Sequence, residues 1–362
     1  MTRIRGLCRH GIWLITLCAL AVPTAYATAH AGSEGTAGGA LAAVAATDQF
    51  FADYLDPDGR VVRRDQGGDT VSEGQAYAML LAVGMRDETR FRRAWTWTQA
   101  NLQRSDGLLS WRWDDGRIVD NGAATDADLI TAWALGLAGD RFGDPALTAE
   151  SKRIGRAVMG VETVAVDGGR MIVAGPWATT DSVVNPSYIV VGAMSQLWWL
   201  AGDPAWSSVA ATGRDVLERQ MAATPHLPSD WSDVDGVPTA APDGSSARFS
   251  YDAGRVLVQL AMDCDASGRA LAAQAWPFFA ALDTEDVVAA YAVDGTPMGS
   301  SRHPITLVGA AASAHAAGDD IGARRLLGAA DELDNRSPTY YGSAWIAITR
   351  TVLDTHLLGG CA

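Results

Sequence analysis

From about residue 40 to the end of the chain, apolar residues recur every three or four positions in about twelve separate segments. That spacing is the helical period, and few stretches show the alternation of a strand. The segments run over 40–55, 72–86, 88–103, 125–139, 146–161, 186–202, 205–221, 248–262, 267–283, 302–316, 320–333 and 340–357. Ser72 with Gln75 and Thr125 with Asp128 have capping-box spacing. Pro186 and Pro204 suit a first turn or the residue before it, and Gly202 suits a C-terminal cap. Strand signals are confined to two hairpins, 107–119 around Asp115-Gly116 and 164–173 around Gly168-Gly169. Short connections (203–204, 317–319) alternate with long ones (103–124, 162–185, 222–247). The chain therefore reads as all-α, with helices in hairpin-like pairs forming a toroid of inner and outer helices. The long loops are expected to carry function. No linker rich in Pro or Ser divides the body.

The N-terminus reads as an address. Arg3, Arg5 and Arg9 precede a short apolar run, 11–22, and then the small-residue patterns Ala25-Tyr26-Ala27 and Ala29-His30-Ala31. This is the pattern of a secretory signal peptide over residues 1–31, cleaved after Ala27 or Ala31. The run is too short to remain as a membrane span. Residues 32–39 read as a flexible lead-in and 40–358 as one catalytic domain. The mature chain is expected to be soluble, exported and monomeric. Cys8 and Cys18 leave with the signal. Cys264 and Cys361 either pair in an oxidising compartment or stay apart, one buried and one on the tail.

The charge is −14 over 362 residues, Lys152 is the only lysine, and the acids are mostly Asp, with eight Glu. Such a chain repels phosphate backbones, which argues against nucleic acid. There is no G-x-G, Walker, G-x-S-x-G or H-E-x-x-H pattern, and the histidines are dispersed. The loop 233–236 fails the EF-hand pattern because Trp231 occupies the first ligand position. What remains is carboxylates, arginines and thirteen Trp. That set suits carbohydrate, because flat rings stack on sugars and carboxylates do acid–base work.

Five motifs in order, V-S-E-G-Q-x-Y-x-M (71–79), A-T-D-A-D-L (124–129), N-P-S-Y (185–188), Y-D-A-x-R (251–255) and Y-Y-G-S-A-W (340–345), resemble glycoside hydrolase family 8. The resemblance extends over about residues 48–358. It implies an (α/α)6 barrel and inverting hydrolysis of β-1,4-glucan, with chitosan, mixed-linkage glucan and xylan as alternative substrates. It implies that Glu73 is the general acid, Asp252 the general base and Asp126 the holder of the sugar beside the scissile bond. It also implies that Arg255 contacts substrate, with Trp111, Tyr188 and Tyr341 as aromatic contacts. No metal and no cofactor is expected, since proton transfer between carboxylates needs neither.

Each residue also has a purely structural reading. Glu73 and Asp126 suit the positive end of a helix dipole, which opposes an acid role for Glu73 unless burial or a neighbouring carboxylate outweighs it. Asp128 suits a reciprocal cap for Thr125, and Asp252 a pair with Arg255 or Arg248. Trp95, Trp97, Trp133, Trp198, Trp199 and Trp276 read as core, whereas Trp111, Trp113, Trp177 and Trp231 in the long loops are candidate sugar platforms. A non-catalytic glycan binder would keep the rings but lack the acid–base pair, and a prenyl-chain cyclase would need a D-D-x-x-D motif that is missing.

Overall fold

The computed structural model describes residues 24–358. Its helices are α1 Thr24–Tyr54, α2 Ser72–Gly84, α3 Glu88–Asn101, α4 Thr125–Arg141, α5 Pro145–Val161, α6 Val191–Ala201 and α7 Ala205–Gln220. They continue as α8 Tyr251–Ala261, α9 Ala266–Gln274, α10 Trp276–Ala280, α11 Pro304–Ala316, α12 Asp320–Arg336 and α13 Tyr340–Leu353. All twelve expected segments are helical, and two are interrupted. One begins as a 3₁₀ turn, Pro186–Tyr188, before α6; the other breaks at Ala275, and Pro277 enters the first turn of α10. Residues 32–39, expected as a lead-in, fall within the span of α1. Residues 1–23 of the expected signal peptide, and Cys361, lie outside the described residues.

The inner helices are apolar nearly all round. In α2 every residue but Glu73 is buried, and α11 is buried from Pro304 to Ala314. A helix with no polar face needs neighbours on all sides. Here α2 packs on α4, α4 on α6, α6 on α8, α8 on α11, α11 on α13 and α13 on α2, which closes a ring of six. Amphipathic helices cover it: α3 on α2, α5 on α4, α7 on α6, α9 on α8 and α12 on α11. Phe50 and Tyr54 of α1 close the outer layer against Tyr340 of α13. The architecture is the (α/α)6 barrel.

Glycine permits the closest crossing. A Cβ on Gly309 of α11 would lie 2.8 Å from the Gly254 carbonyl oxygen of α8, so only two bare backbones fit there.

Both expected hairpins form. Strands β1 Thr70–Val71, β2 Arg112–Asp114 and β3 Arg117–Asp120 make an antiparallel sheet, and β4 Thr163–Val166 pairs with β5 Gly169–Ile172. Asp115 and Gly116 both have positive φ, as a two-residue hairpin turn demands. Neither capping box forms. The N-cap positions of α2 and α4 are Val71 and Ala124. Gln75 is drawn instead into the barrel wall, where it accepts from the Val61 N–H at 2.5 Å and donates to Thr98. Asp128 accepts from the Leu109 N–H at 2.8 Å, and Thr125 donates to the Val173 carbonyl. Gly202 caps α6 with φ 65°.

Candidate active site

Residues from the first turns of α2, α4, α8 and α13 converge on the guanidinium of Arg255, itself in α8 and only 2% exposed. Its Nη1 donates to Asp126 Oδ2 at 2.7 Å and lies 3.8 Å from Glu73 Oε2. Its Nη2 donates to Asp252 Oδ1 at 2.5 Å. One fixed cation thus touches all three carboxylates expected to do the chemistry, and Nη1 also donates to the Tyr77 hydroxyl at 3.1 Å. Rings surround it, with Tyr188, Tyr341 and Trp345 centred 5.5, 5.9 and 6.0 Å from its Cζ. Burying a guanidinium is tolerable only with such pairing, and removing one partner of a buried pair costs about 3–5 kcal/mol.

Glu73 and Asp252 stay partly open, with side chains 21% and 27% exposed, whereas Asp126 is sealed at 2%. Burial and the nearby Asp126 push the Glu73 carboxyl up to about 7, against the opposing pull of Arg255. The dipole objection raised by its first-turn position is therefore outweighed. The Tyr77 and Tyr340 hydroxyls approach its two oxygens at 3.4 and 3.3 Å. Gly74 makes room for this approach, since a Cβ there would lie 2.8 Å from the Tyr340 hydroxyl. Burial also raises Asp126, with Arg255 opposing.

Asp252 accepts on both oxygens, from Arg255 and from Asn185 Nδ2 at 2.9 Å. Asn185 is itself locked, because its Oδ1 accepts from the Ser187 N–H and hydroxyl. Its loop pairs with the segment 222–247 through Val184 and Ser232. That segment also supplies Asp230, which accepts from the Ser250 and Ala253 N–H groups at 2.9 and 2.8 Å and so caps α8 from outside the helix. Burial, then the charge of Asp252, raises Asp230 to about 6.

A cleft of about 570 Å³ adjoins this centre, lined by Trp111, Trp177, Tyr188 and Trp231 with Asp120 and Asp243. Tyr188 belongs to both the cleft and the shell around Arg255. The structure thus gathers Glu73, Asp126, Asp252, Arg255, Tyr188 and Tyr341 at one point and sets Trp111 and Trp177 beside it. Trp113 is not a platform; it packs against Trp97 with Arg60 over its face. Trp198 and Trp199 are not core, being 41% and 78% exposed. Asp252 pairs with Arg255, not Arg248, which sits 3.7 Å from Asp230. Asn185, Asp230, Tyr77 and Tyr340 were not assigned roles from sequence. Tyr77, four residues after Glu73 on the same helix face, carried a usable signal; Asp230, in a loop with no pattern, carried none.

Residues 23–352 match the family described as glycosyl hydrolases family 8. The chain is 38% identical over 218 residues to a protein named "Probable endoglucanase" from Novacetimonas hansenii, covering 57% of this chain and 63% of the relative. It is 30% identical over 220 residues to an endoglucanase of Cellulomonas uda, covering 58% and 61%. It spans a little under two thirds of the length of these relatives. Among solved structures it resembles an endo-β-1,4-glucanase of Acetobacter xylinum, with TM-score 0.74 and 27% identity over 86% of this chain and 97% of that one. It shares the fold of a family 8 endoglucanase of Klebsiella pneumoniae, with TM-score 0.71 and 24% identity over 84% and 97%. On the match of nearly its whole length, the chain belongs to glycosyl hydrolases family 8.

Proposed function

We propose that the protein cleaves β-1,4-glucan chains internally, by single displacement with inversion. The observation that carries this reading is the pairing of a partly open Glu73 and a partly open Asp252 on opposite nitrogens of one guanidinium, beside an aromatic cleft. Inverting pairs stand about 6.5–9.5 Å apart with a water between them; contacts of 3.8 and 2.5 Å to one guanidinium keep Glu73 and Asp252 within reach of a single glycosidic bond. Glu73, raised to about 7, holds a proton for the leaving glycosidic oxygen. Asp252 takes a proton from the water, whose oxygen bonds to the anomeric carbon as the glycosidic bond breaks. Protons then exchange with solvent to restore both groups. Asp126, sealed against Arg255, holds that guanidinium and helps keep the proton on Glu73; it does not touch the sugar, as its expected role required.

The substrate is a neutral glucan of the cellulose type, as in the names of the relatives the chain resembles. The Arg-led apolar N-terminus supports export, and so does Cys264, which is disulfide-bonded; every other cysteine lies outside the described residues.

The test is reducing-sugar release and viscosity on hydroxyethyl-cellulose, lichenan, chitosan and xylan, with NMR of fresh product. Rapid loss of hydroxyethyl-cellulose viscosity and an initial α-anomer are expected, with E73Q and D252N each slower by about a thousandfold or more while binding is kept. An initial β-anomer overturns the inverting mechanism, and preference for chitosan or xylan overturns the substrate.

A further inference from the structure

A second cleft lies on the outer wall, remote in sequence from the carboxylates of the active site. Its volume is about 570 Å³, and it is bounded by α5, the end of α6, the start of α7 and β5. From α5 it takes Lys152, Gly155, Arg156, Met159 and Gly160, spaced as a single stripe of a helix. Arg170 enters from β5, and Leu197, Ala201 and Trp206 supply apolar surface.

Three cations in one cleft are unexpected on a chain of charge −14. Nothing in the fold accounts for two of them. Among the described residues, Lys152 and Arg156 make no ion pair, as is also true of other helix arginines such as Arg93, Arg141 and Arg324; Arg153, between them, pairs with Glu150. Arg170 donates only to Thr163 and to the carbonyls of Thr163 and Met159, so its charge is uncompensated too. One acid, Asp203, shares the rim and accepts from the Ala205 N–H at the start of α7, leaving three cations to one anion. Trp198, three residues before the lining residue Ala201 on α6, is outside the lining itself and stands edge-on to Trp199 at 5.4 Å. Two adjacent exposed indoles are costly to leave in water unless something covers them.

We propose that this cleft binds an acidic polysaccharide, its carboxylates paired with Lys152, Arg156 and Arg170 and a sugar face stacked on Trp198. The cations select the charge, the apolar floor and the indole select a ring with an apolar face, and the volume admits sugar units rather than a single small ion. Such a site would hold the enzyme on an anionic matrix while the carboxylate cleft works on neutral glucan, so the two recognitions are independent.

The experiment is titration of the full-length protein with tetragalacturonate, cellotetraose and inorganic phosphate, followed by tryptophan fluorescence and calorimetry. Tetragalacturonate is expected to bind, with affinity weakened by 0.5 M salt. K152E/R156E should weaken it about tenfold or more, and W198A several-fold. Both variants should retain the helical circular dichroism spectrum and the rate on hydroxyethyl-cellulose. The proposal is overturned if tetragalacturonate does not bind, if K152E/R156E binds it unchanged, or if phosphate competes as well as the uronide, which would make this a simple anion site. Loss of hydroxyethyl-cellulose hydrolysis in the wild type would count against the catalytic proposal alone.

Discussion

Glu73 occupies a first helical turn, where the backbone dipole favours the anion, yet burial and Asp126 hold its proton to about pH 7. The sign of the consequence is fixed. Donation needs the protonated form, so kcat/KM on a neutral glucan should fall as pH rises, with a midpoint near 7, and a pH–rate profile would show it. A flat profile to pH 9 would remove Glu73 from the acid role. Arg255 makes a harsher prediction: R255M leaves Asp126 buried and unpaired and should lower stability by about 3–5 kcal/mol in urea melts. Much of this centre was legible in the residues, because Glu73, Asp126, Asp252 and Arg255 stand in recognisable motifs. What was not legible is that Arg255 binds the other three together, or that Asn185 orients Asp252. Only the Asp252–Arg255 pair, three residues apart, has a local spacing; the other contacts join segments 67 to 182 residues apart.

The outer helices were legible from their helical period, and the inner ones, apolar nearly all round, from apolar runs too long for strands. Their ends were not. Ser72-Gln75 and Thr125-Asp128 have the spacing of caps, but Gln75 and Asp128 find stronger uses for their side chains in buried backbone groups of other segments. The reverse holds at α8, whose cap comes from Asp230, twenty residues before Ser250. D230A should cost about 1–2 kcal/mol and also slow turnover by letting the first turn carrying Asp252 fray. D230N, which keeps an acceptor toward the two N–H groups, should retain most of both; equal losses in the two variants would mean that the cap is not what matters. The crossing of α8 and α11 offers a second check. G309A pushes a methyl into the Gly254 carbonyl and should lower the melting temperature by several degrees, whereas an alanine at Gly328, which has open space around it, should not.

At the scale of the whole molecule, the cleft is built by loops that the sequence marked by their length and their tryptophans. Trp177 and Trp231 come from two of them and face the same space as Trp111. W177A and W231A should each raise KM on long soluble glucan by about three- to tenfold with little change in kcat, as removal of a stacking platform predicts. An unchanged KM would mean that these rings are structural. The toroid also closes on itself: α13 packs against α2, and Phe50 and Tyr54 reach Tyr340. Glu73 on α2 is completed by Tyr340 from the final helix, so an early portion of the polypeptide emerging from a ribosome or a translocon holds the acid but none of its finished surroundings. Hydrolysis during refolding would then appear only when the last helix docks, and enzymatic turnover could be used as a clock for that closing event.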